Sequence, residues 1–309
     1  MDKMRFAVVI VTYNRLKLLK ECISNVLEQT IPFDNIIIVN NCSTDGTDSY
    51  LEQLKRENIN NDNINIINMD ENIGGSGGFY YGLKKSVELN NDWTLLIDDD
   101  AIISTDYNEL ISTFINENSS GKFSAVSGTV CVGKEIDTNH RSNSISNFRL
   151  KVSHIDKKEY DKEFFDYDFT SFCGVYISNK VIGEIGYPCK EYFIWHDDTE
   201  YSIRLRKSGK IRNINAAKLD HRVNFNTKGV DNQLNWKTYY GIRNMTDLTK
   251  RHYSVMGQIY TYFLHSLSLY KFKFKIHKSD VDKKNIQLYK DALYDGKNSI
   301  LGKNKKYLP

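Results

Sequence analysis

The stretch FAVVIVTYNRLKLLKECISNVLEQTIPFDNIIIVNN, residues 6–41, decides the fold. Its two ends, residues 6–11 and 36–39, are continuous apolar runs rich in β-branched residues, as in strands buried on both faces of a parallel sheet. Between them, apolar residues recur three and four positions apart from Leu16 to Leu27. This spacing predicts an amphipathic helix that ends before Pro32. The stretch therefore predicts a βαβ unit.

The same alternation continues along the chain. Strand patterns at 65–67, 93–97 and 123–132 alternate with helical patterns at 79–89 and 107–117, which predicts an α/β fold with a mostly parallel central sheet flanked by helices. Ligands of such sheets bind at the carboxyl ends of the strands. Four polar clusters follow strands here, at 12–15, 40–47, 72–78 and 98–100. The stretch 133–165 has no clear periodicity, and we expect it to form part of an acceptor pocket.

Composition and cysteine usage limit the class of protein. With 309 residues and 40% hydrophobic content, the chain is long enough for one large α/β domain or two smaller units. Its five cysteines are widely spaced and contain no CxxC pair, which argues against a disulfide framework and a structural zinc site. The apolar run near the N-terminus is too short for a signal sequence or a membrane span. We therefore expect a cytoplasmic protein with reduced thiols.

The charge is unevenly distributed, although the net charge is only +3. Residues 248–309 contain 13 Lys or Arg against 4 Asp or Glu, so the preceding part is acidic, and we expect a basic, aromatic C-terminal extension over 248–309. Charged and apolar residues alternate over 271–278, as in an edge strand with one charged face or in a segment that lies on an anionic membrane. Helical spacing over 254–269 predicts a helix that packs on the main domain or on a second subunit, which leaves a homo-oligomer open.

Two clusters suggest how a phosphorylated ligand is bound. The acids Asp98, Asp99 and Asp100 end an apolar strand, and charge concentrated in this way favours a bound cation, with a solvated turn as the alternative. The glycine-rich stretch 72–78 precedes a predicted helix. Its backbone amides and the helix N-terminus suit a diphosphate, with a flexible turn as the alternative, and it matches neither GxGxxG nor a Walker loop.

Three further positions allow two interpretations each. Asp198 stands before a helical pattern, either as an N-cap or as a general base beside an aromatic wall. His221 follows a strand pattern over 211–216, either as a packing residue or as a ligand. Asp45 lies in a polar loop after a strand, either as part of a plain turn or as a nucleotide contact. The second interpretation arises because Asp45 and the segment from Thr12 to Arg15 are expected at neighbouring strand ends, within reach of a base or ribose.

The combination of motifs is more specific than its parts. VTYNR (11–15), NNCSTDGT (40–47), NIGGSGGF (72–79), DDD (98–100) and WHDDTEY (195–201) together resemble the family 2 glycosyltransferases of GT-A fold. The resemblance runs from about residue 6 to 244 and includes YYGIRN (239–244). The glycine-rich and FIWHDDTEY motifs are most similar to those of bacterial galactofuranosyltransferases, followed by rhamnosyltransferases. The family resemblance implies a GT-A, Rossmann-like transferase domain over 1–247, with a donor half at about 1–100 and an acceptor half at about 101–247.

The resemblance also implies roles for individual residues. The ligands of a divalent cation would be Asp98, Asp100 and His221, and an imidazole favours Mn²⁺ over Mg²⁺. The general base of an inverting displacement would be Asp198. Contacts to donor or acceptor sugar would come from Trp195, Asp197, Asp99, Gly75, Ser76 and Gly77. Contacts to the nucleotide would come from Thr12, Asn14, Arg15, Asn40, Asp45 and Asn72, although Asn40 stands where many relatives carry Asp.

The expected activity follows from these roles. The protein would transfer galactofuranose from UDP-galactofuranose to a hydroxyl of a lipid-linked bacterial surface glycan, such as a capsule or cell-envelope polysaccharide, with dTDP-rhamnose as the alternative donor. A non-catalytic glycan-binding scaffold is the alternative from another class, and the intact set of acids and His221 argues against it. Nucleic-acid binding is disfavoured because the basic extension has no recognisable motif and the preceding domain is acidic.

Overall fold

A central sheet organises the chain in this computed structural model, which describes residues 3–57, 63–222, 234–274 and 279–308. Its strands are β1 (Phe6–Thr12), β2 (Asn35–Asn40), β3 (Ile64–Asn68), β4 (Trp93–Asp98), β5 (Ala101–Ile103), β6 (Phe123–Val132), β7 (Glu135–Ile136), β10 (Phe164–Tyr167), β12 (Val175–Ser178) and β13 (Lys210–His221). A small second sheet contains β8 (Arg141–Ser144), β9 (Val152–His154) and β11 (Phe169–Thr170).

The order of the main sheet is β10-β13-β6-β12-β4-β1-β2-β3, with β5 paired to β13 and β7 to β6. Strands β3, β2, β1 and β4 are mutually parallel, and β13 is parallel to β6. Strand β12 runs antiparallel between β4 and β6. The predicted α/β fold with a mostly parallel sheet is confirmed.

The helices are α1 (Leu16–Leu27), α2 (Thr47–Glu57), α3 (Gly74–Glu88), α4 (Tyr107–Glu117), α5 (Asn179–Ile185), α6 (Asp197–Ser208), α7 (Trp236–His252), α8 (Val255–Lys273) and α9 (Asp280–Lys297). Helices α1 and α4 have the predicted bounds. Helix α2 was not predicted, because only Leu51 and Leu54 give it a buried apolar side. Helix α3 begins at Gly74, five residues before the predicted start, because glycine carries no side chain that reveals a helical period.

One prediction about the C-terminal region is wrong in part, and another stays a prediction. Residues 271–273 belong to helix α8 and not to an edge strand, whereas residues 275–278 lie outside the described residues. The expected domain boundary at residues 247 and 248 falls within α7. Helix α7 packs against α8 and α9, so the division into a transferase domain and an extension remains a proposal.

Alternating residues of β1 separate two core layers. Val8 and Ile10 pack on the side of α1 and α4, whereas Val9 and Val11 pack with Phe79 and Leu83 of α3. A third apolar cluster joins α7 to α9 and to the C-terminal segment, where Tyr239 stacks on Tyr307 with ring centroids 4.3 Å apart.

The five cysteines, all within the described residues, are free thiols. Across the described ranges, no helix is both long and apolar enough to cross a bilayer.

Candidate active site

The carboxyl ends of β1, β2 and β4 meet at one edge of the sheet. In the strand register, Thr12 lies opposite Asn40, and Val11 lies opposite Asp98. The polar clusters that follow these strands therefore surround one site, as the strand-end rule predicts.

Two acids of the triplet, Asp99 and Asp100, are buried at this edge and Asp98 is partly buried, which excludes a solvated turn. Asp99 and Asp100 are only 2% and 7% exposed. Asp99 accepts a hydrogen bond of 2.7 Å from the Thr12 hydroxyl. The Arg15 guanidinium lies 3.2 Å from Asp99 Oδ1 and 2.5 Å from Asp100 Oδ2. Positive charge from a side chain thus offsets part of the cost of burying the acids.

Burial and mutual repulsion still shift the titration of the triplet. Burial, followed by the charges of Asp100 and Asp99, holds the pKa of Asp98 well above its usual range. Burial also raises the pKa of Asp99 to about 6. Burial opposes ionisation of Asp100 too, but the contacts with His221 and Arg15 outweigh it and hold the pKa of Asp100 below its ordinary value. A further cation at this point would favour the charged forms of all three acids.

A strand pairing brings His221 to the triplet. Strand β5 follows Asp100 directly and pairs with the end of β13, where His221 lies opposite Ala101. The distance from His221 Nε2 to Asp100 Oδ1 is 3.4 Å. The His140 ring packs edge-on against the His221 ring, with centroids 5.3 Å apart, which fixes its orientation. His221 is therefore adjacent to the acids.

Two of the three predicted ligands are placed as a divalent cation requires. The buried atom Asp100 Oδ1 has no hydrogen-bond partner among the described residues and lies 3.4 Å from His221 Nε2. Two ligands in neighbouring positions of an octahedral ion with bonds of about 2.1 Å lie about 3 Å apart, close to this separation. Within the described ranges, no three His, Cys, Asp or Glu side chains form a group that could hold a metal ion, so the full set of Asp98, Asp100 and His221 stays a prediction.

The glycine-rich stretch is the first part of α3, not a loop that precedes it or a flexible turn. A Cβ at Gly82 would lie 2.2 Å from Val9, and a Cβ at Gly78 would lie 2.5 Å from Val11. These glycines therefore let α3 approach β1 closely. A Cβ at Gly77 would meet Ile73 at 2.6 Å, so Gly77 faces protein. Gly75 faces open space, with nothing within 4 Å of its added Cβ, and suits the predicted sugar contact.

The start of α3 contacts the segment before α6. The Ser76 N–H donates a 3.2 Å hydrogen bond to the Phe193 carbonyl. Gly74 has a φ of +76° and lies so close to Phe193 that an added Cβ would stand 2.0 Å from its carbonyl oxygen. The Ser76 hydroxyl is buried and interacts with the Asp197 carboxylate, which counteracts part of the rise in the pKa of that acid. Two sequence motifs that lie more than a hundred residues apart therefore meet at one wall of the site.

Helix α6 presents two carboxylates from its first turn. Its N-cap is His196, so the interpretation of Asp198 as the N-cap is wrong. Asp198 Oδ1 accepts hydrogen bonds from the Thr199 N–H and hydroxyl at 2.5 Å and 3.0 Å, and burial raises its pKa. Burial and the Asp198 charge raise the pKa of Asp197 to about 7. The Asp197 charge also makes a small contribution to the raised pKa of Asp98.

The backbone before α6 is strained. Phe193, Trp195 and His196 have φ angles of 68°, 67° and 67°, a region that residues with a side chain adopt at a cost. Trp195 is 46% exposed, and its ring packs so close to Gly241 that an added Cβ would lie 2.9 Å from it. The indole is therefore half-exposed and packs on α7, and its role as a sugar-binding wall stays a prediction.

The Arg243–Asn244 pair holds this strained segment in place, a role that residue patterns alone did not reveal. The Asn244 amide nitrogen donates to the carbonyls of Tyr192, Ile194 and Trp195 at 2.8–3.0 Å. Arg243 also donates to the Tyr192 carbonyl, at 3.0 Å. The YYGIRN motif signalled these residues through the family resemblance, but the sequence gives no indication of which carbonyls they bind.

A cleft of about 660 Å³ beside the triplet is lined by Asn14, Arg15, Asp45 and Arg222, among others. Asn14 Oδ1 accepts a 2.7 Å hydrogen bond from the Thr44 N–H. Asp45 accepts one of 2.8 Å from the Leu16 N–H, which joins the turn to the start of α1. These predicted nucleotide residues therefore line one cleft.

Two other predicted nucleotide residues have their side chains engaged by protein. Asn40 is fully buried and hydrogen-bonds Asp48, Asn68 and the Ser43 N–H, so it holds the turn after β2. Asn72 Oδ1 accepts a 2.8 Å hydrogen bond from the Gly74 N–H at the start of α3. The neighbouring Asn41, not predicted, joins the two regions by donating to the Gly74 carbonyl at 2.8 Å.

Known proteins with the same architecture include glycosyltransferases. Over 119 residues, 38% of the chain, the protein is 28% identical to the poly(ribitol-phosphate) beta-N-acetylglucosaminyltransferase TarS of Staphylococcus aureus, and the aligned part is 20% of the length of TarS.

Solved structures share the fold at low sequence identity. That of GalNAc-T7 with UDP, GalNAc and Mn²⁺ superposes with a TM-score of 0.66 at 13% identity, over 97% of this chain and 57% of the other. That of S. aureus TarS 1–349 with UDP-GlcNAc gives 0.56 at 15% identity, over 95% and 80%.

The family model described as Glycosyl transferase family 2 matches residues 7–182, more than half of the chain, and these residues contain the sheet edge, the acidic triplet and the start of α3. The chain therefore belongs to glycosyl transferase family 2.

Proposed function

We propose that the protein is an inverting, cation-dependent transferase that moves a sugar from a UDP-sugar to a hydroxyl group of a lipid-linked bacterial surface glycan. One observation carries this proposal. The start of α3 is hydrogen-bonded both to Asn41 at the sheet edge and to Phe193 before α6, which brings Asp197 and Asp198 to the same side of the sheet as the Asp98–Asp100 triplet, so a base and a cation-binding cluster lie around one space. A transfer that activates a hydroxyl and releases a diphosphate needs both.

The chemical step uses residues of this chain in separate roles. The acceptor oxygen forms a bond to the anomeric carbon while the bond from that carbon to the phosphate oxygen breaks, and the electron pair leaves with UDP. Asp198 takes the proton of the acceptor hydroxyl, and its raised pKa makes it a stronger base than an exposed carboxylate. Asp197 holds the acceptor, and Trp195 provides an apolar wall for a sugar ring.

The donor diphosphate is bound on the other side of the site. Asp100 and His221, with Asp98 beside them, would hold Mn²⁺ or Mg²⁺, which neutralises charge on the leaving diphosphate when bound. Arg15 supplies further positive charge next to the nucleotide cleft. The open face of Gly75 is available to the donor sugar, next to Ser76.

UDP-galactofuranose is our first choice of donor. The NIGGSGGF and FIWHDDTEY motifs, which resemble those of galactofuranosyltransferases, are the two segments joined by the Ser76–Phe193 hydrogen bond. The alternative donor dTDP-rhamnose follows from the related rhamnosyltransferases, and UDP-GlcNAc follows from the ligand of TarS. The reaction would take place at the cytoplasmic side of the membrane, during capsule or envelope polysaccharide synthesis.

Nucleotide release from a panel of these three donors, with Mn²⁺ present, tests the proposal. We expect turnover of UDP-galactofuranose in the presence of a matching acceptor. The Asp198→Asn variant should abolish transfer and keep donor binding. An active Asp198→Asn enzyme would remove Asp198 from the role of base. Glycan binding without turnover of any donor, unchanged by Asp198→Asn, would instead favour the non-catalytic scaffold.

A further inference from the structure

Helix α8 carries an apolar face that no described part of the chain covers. Nine of the twenty exposed large hydrophobic residues of the described chain belong to α8 or to Phe274, which ends it. Val255, Met256 and Ile259 near its start are 58–69% exposed, and Phe263 in its middle is 54% exposed. The opposite side of α8, which includes Leu269, packs inward towards α7 and α9. A face of this extent marks an interaction surface.

A second segment extends this surface. Ile145, Phe148 and Val152, at the tip of the β8–β9 hairpin, are 39–51% exposed. The hairpin contacts α8 directly, because the Phe148 ring lies 6.1 Å from the Tyr260 ring and the Arg149 guanidinium lies 4.1 Å above it. Residues distant in sequence thus form one continuous apolar surface, which we call the docking face.

The charged residues of the two segments are all basic. Residues 138–155 and 248–279 contain no Asp or Glu, although 26% of the chain is charged, and both contain Lys and Arg. Lys271 and Lys273 lie at the C-terminal end of α8, and Arg149 and Lys151 lie in the hairpin. Exposed tyrosines accompany them, including Tyr262 and Tyr270. Apolar side chains, tyrosines and cations without acids are typical of helices that lie in the headgroup region of a membrane.

We propose that the docking face binds the surface of an anionic lipid bilayer, with α8 lying in the plane of the headgroups. A second copy of this chain fits less well, because a symmetric dimer would bring two basic faces together. Anionic headgroups complement the charge, and the length and composition of α8 fit a helix that lies on a membrane better than one that spans it.

The position of the docking face connects it to the active site. His265, on the inward side of α8, lies close enough to His196 to contribute to the lowered pKa of that imidazole, of which burial is the main cause. His196 precedes the carboxylates of α6. A bilayer bound to α8 would therefore lie near the acceptor side of the site. This inference goes beyond the reaction proposed above and holds whichever sugar is transferred.

Vesicle flotation of the full chain tests it, with phosphatidylcholine vesicles with and without phosphatidylglycerol. We expect binding to the anionic vesicles that weakens with salt. The variant Ile259→Asp with Phe263→Asp should lose about tenfold or more of its partitioning. Its matched control, Leu27→Asp with Ile31→Asp, changes two exposed apolar residues beside α1 and should bind like the wild type.

A second pair of variants tests the charge. Lys271→Glu with Lys273→Glu should lower binding to anionic vesicles about tenfold or more. Lys180→Glu with Lys207→Glu makes the same change in charge on α5 and α6 and should not. Point substitutions are preferable to truncation after Asn244, because truncation would remove the Tyr307 ring that stacks on Tyr239.

Three results would overturn the inference. The first is equal binding of the wild type to both vesicle types, and the second is an equal loss of vesicle binding in the test and control variants. The third is a wild-type protein that binds no vesicles and is a dimer by light scattering, which Ile259→Asp with Phe263→Asp converts to a monomer. UDP binding measured by calorimetry without vesicles reports on the donor site separately. A failure of the docking face and a failure of the proposed transfer are therefore distinguishable.

Discussion

Replacing Asn244 with alanine tests whether catalysis depends on the strained segment before α6. The Asn244 amide donates to the carbonyls of Tyr192, Ile194 and Trp195, and the first of these keeps its hydrogen bond from Arg243 in the variant. Two carbonyls therefore lose the Asn244 donor and the Arg243 Nε–H loses its acceptor Asn244 Oδ1, at about 1–3 kcal/mol for each group. Relaxation of the positive φ angles at Phe193 and Trp195 returns about 1–2 kcal/mol each. The net loss of unfolding free energy should therefore be about 3 kcal/mol.

The rate of transfer should fall by more than the loss of folded protein alone would cause. Once the segment relaxes, Asp198 and Trp195 move relative to the donor, and a displacement of about 1 Å lowers kcat by about a hundredfold. Binding of UDP with Mn²⁺ should stay within about threefold of the wild type, because Asn244 does not contact the predicted cation ligands. The measurements are urea unfolding, kcat from nucleotide release, and calorimetry with UDP and Mn²⁺.

Asn215→Ala is the matched control. Asn215 is also buried, and its amide donates to two backbone carbonyls, those of Glu159 and Lys162, both at 2.8 Å. Asn215 Oδ1 also accepts a 2.7 Å hydrogen bond from the Asn213 amide, so three groups lose a partner, as in Asn244→Ala. No positive φ angle is relieved there, so this variant should lose about 2–4 kcal/mol more stability than Asn244→Ala and keep its kcat. If Asn244→Ala keeps the wild-type kcat while losing as much stability as Asn215→Ala, the amide has only a structural role and the reasoning is refuted.

Three further outcomes are expected. Mn²⁺ should strengthen UDP binding to the wild type and not to Asp100→Ala; calorimetry showing equal, metal-independent binding by both proteins would contradict the cation site. Gly82→Ala should lower the unfolding free energy by about 1–3 kcal/mol because its Cβ meets β1, whereas Gly75→Ala should leave stability unchanged and raise KM for the donor; equal stability losses in urea would speak against this division. Transfer requires deprotonated Asp198, so kcat/KM should rise as the pH rises through its raised pKa, and Thr199→Val should move this limb of the pH profile to higher pH because it removes a hydrogen bond that favours the charged carboxylate; an unmoved limb would show that Asp198 does not set the profile.

The strands and the position of the site could be predicted from the sequence because they depend on local pattern. The apolar runs at β1, β2 and β4 are buried along almost their whole length, so their composition identifies them, and parallel strands place their carboxyl ends together. The contact between Asp100 and His221 could not be predicted in this way. It depends on β5, a strand of three residues that pairs with a strand more than a hundred positions later.

The glycines of α3 show a second limit of local pattern. Four glycines in five positions indicate a backbone that approaches something closely, but the sequence does not say what. In the structure, Gly78 lies against Val11 and Gly74 lies against the Phe193 carbonyl, so most of the close approaches are to protein and only Gly75 is open. Which glycine serves a ligand depends on the packing of α3 against two distant segments, and a single sequence does not contain that packing explicitly.

Strain and buried charge concentrate at the same edge of the sheet. Of the seven non-glycine residues with positive φ in the described chain, Asn14 and Cys42 follow β1 and β2, and Phe193, Trp195 and His196 precede α6. Each such conformation and each buried carboxylate costs free energy that the two core layers beneath the edge must offset. Five of the seven conformations thus lie around the site that contains the acids, whereas Asn90 and Ser299 lie elsewhere. Because such features cost stability, their concentration around one site is what selection for binding and transfer predicts.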